Sequence, residues 1–223
     1  MSIKKAIQRL IIRKKGSKSY WETRYALGAN SGPGSYGKLA EFKAEVLNGL
    51  ITELNINSLI ELGCGDGNQT SLLNKEINYL GLDISPTIIE YTRELFSSDE
   101  KKDFMVFDST KYKNAGVFIN ADMVISLDVL YHLVEVEIYE SYLTTLFGMA
   151  RKYVVIYASD NEEIATKDAH VCIRSFTPHI ADNYREFQLI RKIENKHSFD
   201  ERENNNPNDC SWSEFFIYER ISP

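Results

Sequence analysis

Apolar residues along this chain recur with two different periods. Leu39, Phe42, Val46, Leu47, Leu50, Ile51 and Leu54 fall at i, i+3 and i+4, which predicts an amphipathic helix lying on one face of a sheet. Beyond it, short apolar runs predict strands at Ser58–Leu62, Tyr79–Asp83, Phe104–Phe107, Met123–Leu127 and Tyr153–Ala158. Helical patterns at Asn68–Lys75, Pro86–Phe96 and Val136–Arg151 separate them, and Ser85-Pro86 supplies an N-cap with proline at the first helical position. Strands alternating with helices imply right-handed crossovers and a parallel sheet covered on both faces. In the last third, Phe187–Ile193 and Glu214–Arg220 read as two strands with no helix between them. They predict an antiparallel pair closing the sheet, joined through a long polar loop from Glu194 to Ser211.

Ahead of the sheet, Met1 to Lys18 carries Lys4, Lys5, Arg9, Arg13, Lys14, Lys15 and Lys18 and no acid, with Ile3, Ala6, Ile7, Leu10 and Ile11 at helical spacing. This predicts a basic amphipathic helix, either packed on its own domain or resting on an anionic membrane surface or acidic partner. Gly28 to Gly37 predicts a flexible loop, because four glycines and a proline suit no helix or strand interior. The reading divides the chain into an N-terminal segment, 1–38, and one α/β domain, 39–223.

Composition narrows the classes. With 223 residues, 43% hydrophobic and 26% charged, the chain can bury one real core. A formal charge of −6 disfavours a large nucleic-acid footprint. Cys64, Cys172 and Cys210 have no paired metal-ligand spacing and form no even set, which argues against zinc and disulfides and for a reducing compartment. No stretch offers the roughly 18 uncharged apolar residues of a membrane span, and no secretory signal is evident, so a cytoplasmic location is expected.

The motif richest in chemistry is Glu61-Leu62-Gly63-Cys64-Gly65-Asp66-Gly67, at the end of the first strand. Alternating glycines let the backbone turn sharply and let a bulky ligand approach. A dinucleotide fingerprint needs a third glycine at position 68, where Asn68 stands, so a nicotinamide oxidoreductase is a distant reading. Glu61 suits a cationic ligand. Asp83, 22 positions on, closes the second strand where a carboxylate can accept both ribose hydroxyls of an adenosine. Asp108, followed by Ser109 at the third strand's end, is placed to hold an adenine amino group.

These residues resemble the class I S-adenosylmethionine (SAM) dependent methyltransferases. ELGCGDG looks like their first motif, YLGLDIS their second, VFDST their third and ISLDVLYHLVE their fourth. The resemblance implies a Rossmann-like, mostly parallel seven-stranded sheet with an antiparallel C-terminal hairpin. It implies SAM as cofactor and S-adenosylhomocysteine (SAH) as product. By position it assigns Glu61, Gly63, Gly65, Asp83 and Ile84 to the methionine and ribose parts, Asp108 and Ser109 to adenine, and Leu127 with Asp128 to the floor. The flanks SYWETRYALGANSGPGSYGKLAEFKAEVLN and SEFFIYER are similar to small bacterial methyltransferases of capsule and surface-polysaccharide gene clusters, implying O-methylation of a sugar nucleotide or another small precursor.

A hydroxyl acceptor needs its proton removed. His132 is the candidate general base, with Asp128 orienting it or taking the proton itself. His170 and Arg174, with His179 nearby, are the candidate substrate contacts, Arg174 for a phosphate. Residues Tyr20 to Tyr25 read as a lid, Arg24 for the cofactor carboxylate and Tyr20 over the methyl donor. The rival readings are a non-catalytic SAM-binding module and a protein or RNA methyltransferase recruited through the basic N-terminus.

Overall fold

The computed structural model describes residues 16–112, 114–164, 168–199, 206 and 209–221. Residues 1–15, and with them almost all of the predicted basic helix, lie outside the described residues. Helix α1, at residues 16–26, leads through a 3-10 turn at Pro33–Ser35 into α2, Gly37–Glu53. There follow β1 Ser58–Leu62, β2 Asn78–Asp83, α3 Pro86–Leu95, β3 Lys102–Val106, β4 Ala121–Leu127, α4 Val136–Gly148, β5 Ala150–Ala158, α5 Thr177–Asn183, β6 Phe187–Ile193 and β7 Glu214–Arg220.

The seven strands form one sheet in the order β3-β2-β1-β4-β5-β7-β6. The first five are parallel, β7 runs antiparallel to β5, and β6 runs antiparallel to β7. Strand order reverses between β1 and β4, and the carboxyl ends of these two strands open a crevice at that switch point. β4 is buried along its whole length, because helices cover both faces of the sheet there. One apolar cluster packs α4 under the sheet through Leu143, Leu146 and Phe147 against Val124, Val154 and Ile156. The other packs α2 above it through Phe42, Leu47 and Ile51 against Leu59, Met123 and Val155, and includes Tyr25 of α1. Among the described residues no helix is long and apolar enough to cross a membrane.

Three departures from the sequence pattern have local causes. The helix predicted at Asn68–Lys75 is reduced to a 3-10 turn, Thr70–Leu72. Side chains compete for its backbone: Asn48 accepts from the Asn74 amide, Asn74 accepts from the Glu76 amide, and the Ser71 hydroxyl donates to the Asn68 carbonyl. α4 stops at Gly148, not Arg151, because Met149 leads straight into β5 beneath the turn at Gly116. α5 had no periodic signal; the Asp160 carboxylate starts it by accepting from the amides of Phe176 and Thr177 and the Thr177 hydroxyl.

The packing at Gly116 gives a clean contrast. A β-carbon there would collide with the Gly148 carbonyl, whereas one at Gly148 meets nothing within 4 Å. Gly116→Ala should destabilise by about 1–3 kcal/mol. Gly148→Ala, in a helix, should be neutral or stabilising by up to about 1 kcal/mol. Urea denaturation of both variants checks this, and similar losses for the two would disprove the packing assignment.

Candidate functional site

The crevice at the switch point is a cleft of about 320 Å³. Its base is the turn after β1. Gly63, Gly65 and Gly67 all have positive φ, at 81°, 57° and 76°, which L side chains rarely adopt. A β-carbon on Gly63 would also meet Val129, and one on Gly65 would strike the Ser31 hydroxyl.

The loop predicted to be flexible is tied down on this turn. The Asp66 carboxylate accepts from the Ser31 amide at 2.7 Å and the Tyr36 hydroxyl at 2.9 Å, while the Asp66 amide donates to the Ser31 hydroxyl. The Asn68 side chain donates to the Ser35 carbonyl. Burial and Asp66 push the Tyr36 phenol up to about 12, so it stays a donor.

Two carboxyls at successive strand ends meet in the cleft. Glu61 is buried, and the Tyr79 phenol donates to it at 2.6 Å. Burial raises its pKa to about 7; the Tyr79 hydrogen bond and Lys43 oppose that, while Asp83 and Asp66 add to it. Asp83 accepts from the amides of Gly65 at 3.1 Å and Ser85 at 2.9 Å. Burial lifts it to about 6, against the opposing pull of the amides of Ser85, Gly65 and Ile84. Gln69 lines the same wall: its Nε2 donates to the Ala40 carbonyl, and its buried Oε1 has no partner.

Asp128 sits just past β4 with φ 59°, a left-handed conformation uncommon for a residue with a side chain. Its carboxylate accepts from Lys43 Nζ at 2.7 Å, the Tyr131 hydroxyl at 2.9 Å and the Ser213 hydroxyl at 3.1 Å. Lys43 is 1% exposed, and its ammonium also lies 5.3 Å from the centre of the Tyr157 ring. Gly34 leaves room for this pair, since a β-carbon there would meet Asp128 Oδ2 at 2.9 Å.

His132 lines the cleft, but Asp128 does not orient it. Its Nδ1 donates to the His170 carbonyl at 3.0 Å, and Asp128 takes the hydroxyl of neighbouring Tyr131 instead. A carbonyl can only accept, so the hydrogen is on Nδ1 and Nε2 keeps its lone pair. Burial lowers the His132 pKa to about 4, against a weaker opposing effect of the His170 carbonyl.

Helix α1 closes one side. Ser17, Lys18, Trp21 and Tyr25 line the cleft, one stripe of the helix. Tyr20 and Arg24 lie one step round and are not on the wall: Tyr20 stacks on His170 at 4.7 Å, and Arg24 Nε donates to the Asn30 carbonyl. The helix is held by Ser17 on Glu135, Lys18 on Asp108 at 2.9 Å, and Glu22, which accepts from the hydroxyls of Ser85 and Thr87.

Of the residues singled out from sequence, Glu61, Gly63, Gly65, Asp83, Ile84, Asp108, Ser109, Leu127, Asp128 and His132 all line this one cleft. His170 and Arg174 do not. The Arg174 guanidinium donates from both terminal nitrogens to the carbonyls of Leu133 and Val134 and lies over the Tyr139 ring, which holds it off the cleft wall. His179 sits in α5 beside Tyr139. Within the predicted lid it is Trp21 and Tyr25, with Ser31 of the glycine loop, that line the cleft and not Tyr20 and Arg24, and Lys43 and Gln69 were missed. Lys43 had a signal, since it falls on the apolar stripe between Leu39 and Leu47, where a lysine must find a buried partner.

A family model described as a methyltransferase domain matches residues 60–154, from β1 into β5. A comparison with curated proteins finds no match. Among solved structures, the chain is similar to the N-methyltransferase NodS from Bradyrhizobium japonicum in complex with SAH, at 14% identity over 90% of this chain and 100% of that one, TM-score 0.68. It is similar to the magnesium protoporphyrin IX methyltransferase of Synechocystis with bound SAM, at 17% identity over 99% and 98% of the two chains, TM-score 0.58. An O-methyltransferase family protein from Burkholderia thailandensis aligns at 14% identity over 96% of this chain and 63% of that one, TM-score 0.62. At these identities the likeness is one of fold, and the fold is the Rossmann-like methyltransferase fold.

The raised Glu61 carboxyl carries a stability cost of definite sign. Unfolded, it ionises near 4.5; folded, near 7. Its contribution is therefore intact below pH 4.5 and lost as pH rises through about 7, on the order of 3 kcal/mol in all. Glu61→Gln should melt with the wild type near pH 4.5 and roughly 5–10 °C above it at pH 8. A melting-temperature difference that does not grow with pH would refute the assignment.

Proposed function

We propose that this cleft binds SAM and that the chain transfers its methyl group to a small polar acceptor. The observation that carries this reading is Glu61, a carboxyl kept partly protonated by burial in the cleft it lines together with Asp83. Such a site is incomplete until a cation arrives. SAM brings a sulfonium and an ammonium, and a ribose whose hydroxyls suit a strand-end carboxylate.

The residues fit that group. Glu61 and the unpartnered Gln69 Oε1 are the acceptors for the ammonium. Asp83, held in place by the amides of Gly65 and Ser85, takes the ribose hydroxyls. Ile84, Phe107 and Leu127 give apolar walls, with Asp108 and Ser109 at the adenine end. When bound, SAM supplies a methyl carbon already primed for in-line displacement by its positive sulfur. The chain's task is to align the acceptor and keep water out, and alignment alone can be worth about 7–11 kcal/mol. Trp21, Tyr25 and the Ser31–Ser35 loop close over the cleft for that purpose. His132 Nε2 is the atom that receives a proton from the acceptor, and it is unprotonated at neutral pH.

Calorimetry tests the donor half. SAM and SAH should bind with one site each, and Glu61→Gln should weaken SAM at least tenfold. SAM should bind more tightly as pH rises from 6 to 8, because the ionised form of Glu61 is the binding form, with protons released at the lower pH. Well-folded protein that takes up neither ligand would end the proposal. SAH appearing on incubation with an acceptor separates an enzyme from a module that only binds SAM.

A further inference from the structure

The cleft that must admit the acceptor beside the donor carries a chemical signature, in charge, in hydrogen-bonding capacity and in basicity. Five carboxyls line the cleft, Glu61, Asp66, Asp83, Asp108 and Asp128, against two ammonium groups, Lys18 and Lys43. Both ammonium groups are already paired, Lys18 with Asp108 and Lys43 with Asp128. SAM adds one net positive charge, so the cleft stays negative with the donor in place. A phosphate or carboxylate on the acceptor would enter a negative field and find no unpaired cation on the described wall. Arg174, the side chain best suited to a phosphate, is spent on two backbone carbonyls away from the cleft.

Hydrogen-bonding capacity points the same way. Beyond the atoms that take the donor, the wall presents the acceptor atoms Asp128 and His132 Nε2, together with the rings of Trp21, Tyr25 and Tyr131. Carboxylate with aromatic surface is the chemistry that recognises an amine. Basicity decides between an amine and a hydroxyl. Asp128 already accepts from three donors, the Lys43 ammonium among them, and His132 is held as a weak base, near 4, by burial. A hydroxyl needs a strong base to become a nucleophile, whereas a neutral amine already has its lone pair.

Resting on the proposed methyl transfer, we infer that the acceptor is a small amine without phosphate or carboxylate, methylated on nitrogen. The ammonium form loses a proton to solvent. The neutral nitrogen attacks the methyl carbon, the C–N bond forms as the C–S bond breaks, and the electron pair of the latter stays on sulfur. The methylated nitrogen then gives its extra proton to His132 Nε2 or water.

The test uses the full chain, after calorimetry has established donor binding, so that failure of the donor reading is seen first. SAH release is measured with matched triplets: glucosamine, glucose and glucosamine 6-phosphate; ethanolamine, ethylene glycol and phosphoethanolamine; benzylamine, benzyl alcohol and 4-aminomethylbenzoate. At least one amine should be methylated, with kcat/KM ten or more times that of its alcohol and its anionic partner. The pH dependence of kcat/KM should follow the acceptor, its midpoint moving by about the pKa difference between two amine substrates. Asp128→Asn should raise KM for the amine at least tenfold while leaving the SAM dissociation constant within threefold. Should that variant fail to fold, the acceptor-dependent pH midpoint still decides. An alcohol or an anionic acceptor used as well as its amine, a midpoint fixed whatever the acceptor, or no amine methylated by protein that binds SAM would each overturn the inference.

Discussion

The arrangement of this molecule depends on one steric fact: the turn leaving β1 closes only where alternate residues lack a β-carbon. Gly63, Gly65 and Gly67 adopt left-handed backbone, and that path carries the Gly65 amide onto Asp83 of the neighbouring strand. Through it, two strand ends are held in register with one another beyond the sheet's own ladder. The same turn receives the Ser31 loop, whose hydroxyl occupies the space a side chain at position 65 would need. Cleft, strand ends and cover are thus three readings of one backbone conformation.

Electrostatics then sets what such a space can hold. Carboxyls at the ends of β1, β2 and β4 converge because parallel strands all deliver their carboxyl ends to one edge. Nature's usual remedies for crowded negative charge are ion pairs and shared protons, and both occur here: Lys43 answers Asp128, and a retained proton answers Glu61. Burying Lys43 is costly unless paired, and breaking the pair would strand whichever partner remained. The left-handed Asp128 fits this account, since three donors from α2, the turn at Leu130–His132 and the residue before β7 over-determine its position.

What could be read from sequence followed the range of the interaction. Strand positions, the glycine turn and the carboxyls at strand ends are local patterns, and the cleft gathers them as expected. α1 shows the limit. Which of Tyr20, Trp21, Arg24 and Tyr25 faces inward depends on a rotation of the helix fixed by distant contacts, Glu135 and Ser85 among them, so neighbours in sequence were exchanged. His132 looked paired with Asp128 because the two are close in sequence; its real partner is the His170 carbonyl, 38 residues away. Arg174 illustrates the same limit, because its guanidinium is taken by carbonyls of a segment 40 and 41 residues earlier.

Ser85 carries two duties on one oxygen. It caps α3 by accepting from the Ile88 amide, and it donates its proton to Glu22 of α1. The lone pair serves the cap and the hydrogen serves the strap, so the duties do not compete. If α1 swings away, the hydroxyl hydrogen can rotate to water while the cap stays made. The strap is therefore decoupled from the cap it leans on: loss of the α1 contact would leave α3 capped, with the Ser85 oxygen still in place to meet Glu22.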